Sequence, residues 1–249
     1  MKSPLELDAD EINSYLYSLR KQTSLSDTYF KHSVYGLRFF FRVYNLEDKL
    51  IELPKLKNDN KLPTVFSQQE LRRLFKAPQQ LKQRVILTLI YSAGLRVSEV
   101  CKLKINDIDF DRKQIHIRLS KNNKSRYVIL SNYIAEGLEK YIEREKPVVF
   151  LFTGRAKDKH IGTSAVQRTF RLAMKKAEIT KDARVHTLRH SFATHLLEQG
   201  VDVATIKEQL GHASIITTML YLHVAQIEKQ LAHSPFDRLY HSKYENQFE

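Results

Sequence analysis

The sequence predicts a mainly helical protein with one small antiparallel sheet, an α+β chain made of a small helical N-terminal domain and a larger C-terminal domain. Three observations predict it. Apolar residues recur at steps of three and four through most of the 249 residues. Alternation with a period of two is confined to residues 108–130. A polar segment with two prolines, residues 52–64, has neither period and reads as a linker between domains at 1–51 and 65–249.

The elements follow in order. Asp8 and Glu11 form a capping pair for a first helix, along which Ile12, Tyr15, Leu16 and Leu19 recur at helical spacing. A second helix runs from about Ser26 to Tyr44, with Phe30, Val34, Leu37, Phe41 and Tyr44 as its apolar stripe. One position round, Lys31, Tyr35, Arg38 and Arg42 make a basic face with one aromatic, which suits either a solvated flank or the phosphates of DNA. Beyond the linker, Ser67 and Glu70 form a capping box ahead of Leu71, Leu74 and Phe75. The next helix, about Leu81 to Ala93, buries Leu81, Val85, Ile86, Leu89 and Ile90, and Gly94 ends it in a left-handed conformation. Ile115, Ile117 and Leu119 alternate with polar residues, and Arg126 to Leu130 is a second extended run. Together they predict a small antiparallel sheet with turns near Asp111 and Asn122. From Ser131 onward the pattern is helical, with a short strand expected at Val148 to Phe152.

Composition narrows the function. Apolar residues make up 42% and charged residues 28%, an ordinary globular mixture that excludes wholesale disorder. Lys and Arg number 41 against 28 Asp and Glu, a net charge of +13 that calls for a polyanionic partner, nucleic acid before an anionic membrane. No apolar run approaches the roughly 20 residues of a spanning helix. Met1 to Lys21 lacks the pattern of a secretory signal, and Cys101 is the one cysteine. These features fit a reducing cytoplasm, with no disulfide and no multi-cysteine metal site.

Three segments carry polar residues that a pure core would not choose. Ala93-Gly-Leu-Arg-Val-Ser-Glu-Val100 sets Arg96 and Glu99 three apart, on one face of a restarted helix. In His186-Thr-Leu-Arg-His-Ser-Phe-Ala-Thr-His195, Leu188, Phe192 and Leu196 face the core, so His186, Arg189 and His190 lie together elsewhere. The His186–His190 spacing would suit zinc, but it lacks a zincin glutamate and a third ligand set, and no metal or other cofactor is expected. In the third segment Leu210-Gly211 reads as a helix end, Ser214 caps the next helix, and Tyr221 lies about two turns into it.

Taken together, Arg96, Lys121, His186-x-x-Arg189, His212 and Tyr221 resemble the Arg…Lys…His-x-x-Arg…His/Trp…Tyr signature of the tyrosine recombinase (phage integrase) family. Flanking residues agree, in Ala-Gly-Leu-Arg-Val-Ser-Glu, His-x-Leu-Arg-His-Ser-Phe-Ala-Thr-His and Leu-Gly-His-x-Ser-Ile-x-Thr-Thr, and the likeness covers about residues 64 to 230. The chemistry suits these residue types. A phosphodiester under attack gathers negative charge on its non-bridging oxygens, which planar guanidiniums grip in a bidentate fashion. A tyrosine needs a base or a positive field to act as a nucleophile.

The resemblance implies that Tyr221 attacks the scissile phosphate and forms a 3′-phosphotyrosyl link, with strand exchange through a Holliday junction and no ATP. It gives Arg96 and Arg189 the phosphate, His186 acid–base help, His212 a hydrogen bond to the phosphate and Lys121 protonation of the departing 5′ oxygen. Glu99 supports the basic groups. Lys124 and Arg126, from the same turn as Lys121, join Lys31, Tyr35, Arg38 and Arg42 as expected DNA contacts. The partners implied are double-stranded recombination sites and three further copies of the chain, a tetramer on DNA from a monomer in solution, docked through residues 224–249. Two features depart from the family pattern. The lysine turn reads Ser120-Lys121-Asn122-Asn123-Lys124-Ser125-Arg126, so Lys121 and Lys124 compete for the lysine role, and the DNA-clamping N-terminal domain is short. Two other readings stay open: a DNA-binding regulator with the same fold and no catalysis, and a type IB topoisomerase-like enzyme that relaxes DNA.

Overall fold

The capping pair at Asp8 and Glu11 starts the first helix. The Glu11 amide donates to the Asp8 carboxylate (2.7 Å) and the Asp8 amide donates to the Glu11 carboxylate (3.1 Å). The computed structural model describes residues 3, 5–21, 27–46, 51, 62–118, 125–156 and 158–225. The chain divides into two units, Met1–Lys61 and Leu62–Glu249. Most of the segment read as a linker lies outside the described residues.

The first unit holds α1 (Ala9–Lys21) and α2 (Asp27–Val43). Ile12 and Leu16 of α1 pack on Phe30, Val34 and Phe41 of α2, with Ile51 completing the cluster. Two residues of the expected stripes do not join them: Tyr15 is 59% exposed and Tyr44 is 53% exposed. Each sits at the margin of its stripe, and a pair of helices buries only the narrow seam where the two meet. Arg38 turns along its helix and donates twice to the Ile51 carbonyl, from Nε (3.1 Å) and Nη2 (2.6 Å).

The second unit begins at the Ser67–Glu70 capping box, in which both reciprocal bonds form. It caps α3 (Gln68–Lys76). Next, α4 (Leu81–Ser92) runs through the centre of the unit, with Val85, Ile86, Leu87, Leu89 and Ile90 all buried. Apolar burial on this scale contributes about 1.5–3 kcal/mol per large side chain, which is what holds a helix apolar on most sides inside a bundle. Around α4 pack α6 (Asn132–Glu145), α7 (Thr163–Lys176) and α8 (Val185–Glu198). The short α5 (Val97–Lys102) follows the turn at Gly94. No described helix is long and apolar enough to cross a membrane.

The sheet has three strands in the order β1 (Ile108–Asp109), β2 (Gln114–Ile117), β3 (Arg126–Ile129), all antiparallel. Ile115 and Ile117 face the core as the alternation requires, with Ile115 opposite Val128 and Ile117 opposite Arg126. The turn near Asp111 forms between β1 and β2. Leu119, Asn122 and the rest of the expected second turn lie outside the described residues. The strand expected at Val148–Phe152 is not a strand. Phe150 makes a single bridge to Lys104, Val148 is 79% exposed, and only Leu151 and Phe152 are buried. The apolar run plugs the core with two side chains and needs no ladder to do so.

After α8 the chain makes α9 (Val203–Leu210), the four-residue α10 (Ile216–Met219) and one 3-10 turn, Leu220–His223. Phe192, Ala193 and Leu197 of α8, Ile206 and Leu210 of α9, and Tyr221 form a second apolar cluster beside the main core.

Candidate active site

Two left-handed glycines bring the site together. Gly94 (φ +59) follows α4 and turns the chain so that α5 starts beside α8. A Cβ there would stand 2.5 Å from the Phe192 ring, so the approach of the two segments excludes any side chain. Gly211 (φ +62) ends α9, and a Cβ there would meet Arg126 Cδ at 2.9 Å.

Between these turns one carboxylate gathers three arginines. Glu99 is buried, and its two oxygens accept a fork from Arg126 Nη1 and Nη2, both at 2.9 Å. Arg96 adds its Nη1 (2.8 Å) and its backbone amide (2.8 Å). Arg189 Nη1 stands 3.9 Å away. Burial pushes the Glu99 carboxyl up, but the hydrogen bonds and charge of Arg126, joined by Arg96, outweigh it and hold the group at about 2. Glu99 is therefore ionised throughout the physiological range and offsets the repulsion among the guanidiniums.

Main-chain carbonyls hold the arginines from the other side. Arg189, 1% exposed, donates from Nη1 to Gly94 O (2.6 Å) and from Nη2 to Leu210 O (2.5 Å). Arg96 Nη2 donates to Gly211 O (3.3 Å), and Arg126 Nε donates to Gln209 O (2.9 Å). The Nε of Arg189 is buried without a hydrogen-bond partner.

Tyr221 stands next to this cluster. Its side chain is buried, and its hydroxyl lies 3.0 Å from Nδ1 of His190. The His212 ring stacks near the phenol at 6.4 Å, and its Nδ1 lies 2.9 Å from the Thr218 hydroxyl. The His186 ring meets His190 edge-on at 4.6 Å. Burial raises the phenol above its ordinary range, while the charges of Arg189 and Arg96 pull it down. Burial, then the neighbouring positive charges, press His190 and His212 down to about 4, and His186 is lowered for the same reasons. All three rings are accordingly neutral at pH 7, able to accept or donate a hydrogen bond without adding charge.

The structure thus brings together Arg96, Glu99, His186, Arg189, His212 and Tyr221 from separated parts of the sequence. Tyr221 lies two residues beyond the short α10, in the 3-10 turn, rather than two turns into a continuous helix. Arg126, read from the sequence as a DNA contact, is placed differently: its side chain is 9% exposed and turned inward onto Glu99 and Gln209. Lys121 and Lys124 lie outside the described residues. Lys31, Tyr35, Arg38 and Arg42 all sit on α2 of the first unit, where Arg38 is engaged by Ile51. Sequence reasoning passed over His190 as the neighbour of the tyrosine. The signal is present, since His190 follows Arg189 directly and lies one turn from His186.

Comparison with known proteins bears on the family and the fold. The phage integrase family model matches residues 64–228. A tyrosine recombinase of Thermosipho africanus is 34% identical over 235 residues, covering 90% of this chain and 82% of the relative. The crystal structure of XerA recombinase superposes with a TM-score of 0.60 at 28% identity, over 97% of this chain and 85% of that one. XerH site-specific recombinase, in a post-cleavage complex with palindromic difH substrate, shares the fold at a TM-score of 0.74 and 23% identity, over 96% of this chain and 72% of that one. A matched signature, a shared fold and a family model over residues 64–228 converge: the chain belongs to the phage integrase family, the tyrosine recombinases.

Proposed function

We propose that this protein is a site-specific DNA recombinase in which Tyr221 is the nucleophile. The observation that carries the reading is a buried phenol placed against arginines that one carboxylate has already arranged. Tyr221 Oη forms a bond to the scissile phosphorus, the bond from phosphorus to the 5′ oxygen breaks, and that oxygen leaves as a hydroxyl. Arg96 and Arg189 stabilise the charge that gathers on the non-bridging oxygens. An anionic oxygen would also supply a partner for the buried Arg189 Nε. His212 hydrogen-bonds the same phosphate through the ring nitrogen not engaged by Thr218. Arg126 acts as a positioning residue, fixing Glu99 and so the two phosphate arginines. Lys121 protonates the leaving oxygen, by its match to the family signature.

The 5′ hydroxyl of a partner duplex then attacks the phosphotyrosyl link. Two such exchanges pass through a Holliday junction, with four copies of the chain on two DNA sites. The net charge of +13 supports DNA as the partner, as do the DNA-bound structures of its structural neighbours. The first unit serves as the clamp on the duplex, through the face of α2 that carries Lys31, Tyr35 and Arg42.

The test is to incubate the protein with fragmented genomic DNA of its host, denature with detergent, and recover only DNA covalently attached to protein. Attachment by wild type and none by Tyr221→Phe establishes the nucleophile, and sequencing the trapped fragments names the site. Attachment that persists in Tyr221→Phe sinks the assignment.

A further inference from the structure

The family signature gives acid–base help to His186, yet the ring nitrogen within hydrogen-bonding distance of the Tyr221 hydroxyl belongs to His190 (3.0 Å). His190 sits on α8 one residue after Arg189, with its ring tilted against the phenol at 5.7 Å. His186 lies one turn earlier and touches His190, edge to face, rather than the tyrosine. His212 stacks against the phenol with Nδ1 engaged by Thr218. Geometry alone therefore separates the three histidines: one is aimed at the reacting oxygen, one backs it, and one flanks the ring.

We propose that His190 is the base that takes the phenolic proton of Tyr221 during cleavage and returns it during rejoining. The inference rests on the reading of this chain as a recombinase that uses Tyr221. As Oη bonds to phosphorus, its proton moves to Nδ1 and the ring becomes an imidazolium. In the reverse step the imidazolium gives the proton back to the departing Oη while the incoming 5′ hydroxyl bonds to phosphorus and passes its own proton to the Lys121 amine that gave one up during cleavage. No other reactant is needed.

The surroundings suit a base that is neutral at rest. The groups that face His190 are Arg189 beside it and His186 one turn earlier on α8, with the Tyr221 phenol from the 3-10 turn, and Arg96 and Glu99 act in turn on His186. Burial and the positive charges keep His190 unprotonated, down to about 4. A bound phosphate would add negative charge opposite those arginines. That charge stabilises the imidazolium at the stage when the proton arrives.

The experiment measures single-turnover cleavage of the trapped site, synthesised in two forms, with an ordinary scissile phosphate and with a bridging 5′-phosphorothiolate. The sulfur leaves without needing a proton. His190→Asn keeps a side chain that can hydrogen-bond the phenol but cannot take its proton. Its cleavage should fall about 100-fold or more, within the usual range for loss of a general base. Wild type should be flat between about pH 6.5 and 9, where a neutral imidazole faces a protonated phenol. The variant should instead rise about tenfold per pH unit, because the phenol must first ionise to solvent.

The phosphorothiolate should not rescue the variant. Rescue to wild-type rate would place His190 on the leaving-group side and overturn the proposal, as would a rate within about threefold of wild type with an unchanged flat profile, the result expected of a spacer. Gel-shift binding of the same DNA checks that each variant is folded, with His190→Gln taking the place of an Asn variant that does not bind. A wild type that forms no covalent link sinks the recombinase reading itself, whereas normal wild-type cleavage with an indifferent His190→Asn sinks only the role of His190.

Discussion

The arginine half of the site and the tyrosine half are built on different terms. The arginines come from α5, β3 and α8, and each is tied at two or more atoms, on Glu99 and on main-chain carbonyls. The tyrosine is carried by a four-residue helix and a single 3-10 turn, and one hydrogen bond engages its hydroxyl. Three guanidiniums repel one another, so their placement needs a carboxylate and a rigid frame before any substrate arrives. A nucleophile has to advance onto phosphorus, and a light tether permits that. On the proposed reading, the half that would grip the phosphate is preorganised and the half that would attack it is lightly held.

Several changes would break or sharpen the contrast. The largest effect is expected from Tyr221→Phe, which removes all covalent attachment yet leaves DNA affinity within about twofold, since the lost hydroxyl carries one hydrogen bond. A filter-binding titration beside the attachment assay reads both, and a large loss of affinity would mean that the tyrosine also helps to hold the clamp. Next is Glu99→Ala. Three arginines left around an empty centre should cost about 3–5 kcal/mol of stability in urea titration.

The same carboxylate has a pH signature. Its folded value, about 2, lies below its ordinary 4.5, so its stabilisation is complete above about pH 4.5 and is lost as pH falls towards 2. The loss should amount to about 3 kcal/mol in wild type and be absent from Glu99→Gln. Equal acid sensitivity in the two proteins would show that the arginines are held by the carbonyls alone.

Gly94→Ala should cost about 2–4 kcal/mol, combining left-handed strain with a methyl against the Phe192 ring. Thermal unfolding measures it, and a neutral result would mean that the ring can move aside. Smallest is Lys31→Ala on the first unit. If Lys31 meets a phosphate, affinity drops modestly for every DNA sequence and the slope of log Kd against log salt falls by about 1. An unchanged slope would remove Lys31 from the interface.

Much of this molecule was legible in its sequence, and the reasons are local. Ser67 and Glu70 announce a helix start because two side chains and two amides settle it within four residues. Gly94 and Gly211 mark left-handed turns for the same kind of reason. The signature residues could be picked out because each sits in a run of flanking residues that resembles the family's, whatever lies between the runs. What was not legible depends on side-chain direction. Arg126 shares a strand face with the buried Val128, so alternation aims it inward, but that Glu99 and Gln209 are its partners there depends on how α5 and α9 approach β3. His190 and His186 are one turn apart on α8, and which of them meets Tyr221 depends on where the 3-10 turn after α10 sets the phenol. Val148 to Phe152 has strand-like composition, but no neighbouring backbone lies alongside it for more than one bridge.

The carbonyls of Gly94, Leu210 and Gly211 have a genetic consequence. They are the acceptors that orient Arg189 and Arg96, and every amino acid supplies the same main-chain oxygen. Leu210 can change to another apolar residue and the acceptor stays where it was. Gly94 and Gly211 change only at a cost, because their left-handed backbone sets the path that aims those oxygens. Tolerance to mutation is thus concentrated in side chains and withheld from two glycines. On the proposed reading, side chains around the site are free to adapt to a different DNA sequence without moving the carbonyls that aim the two phosphate arginines.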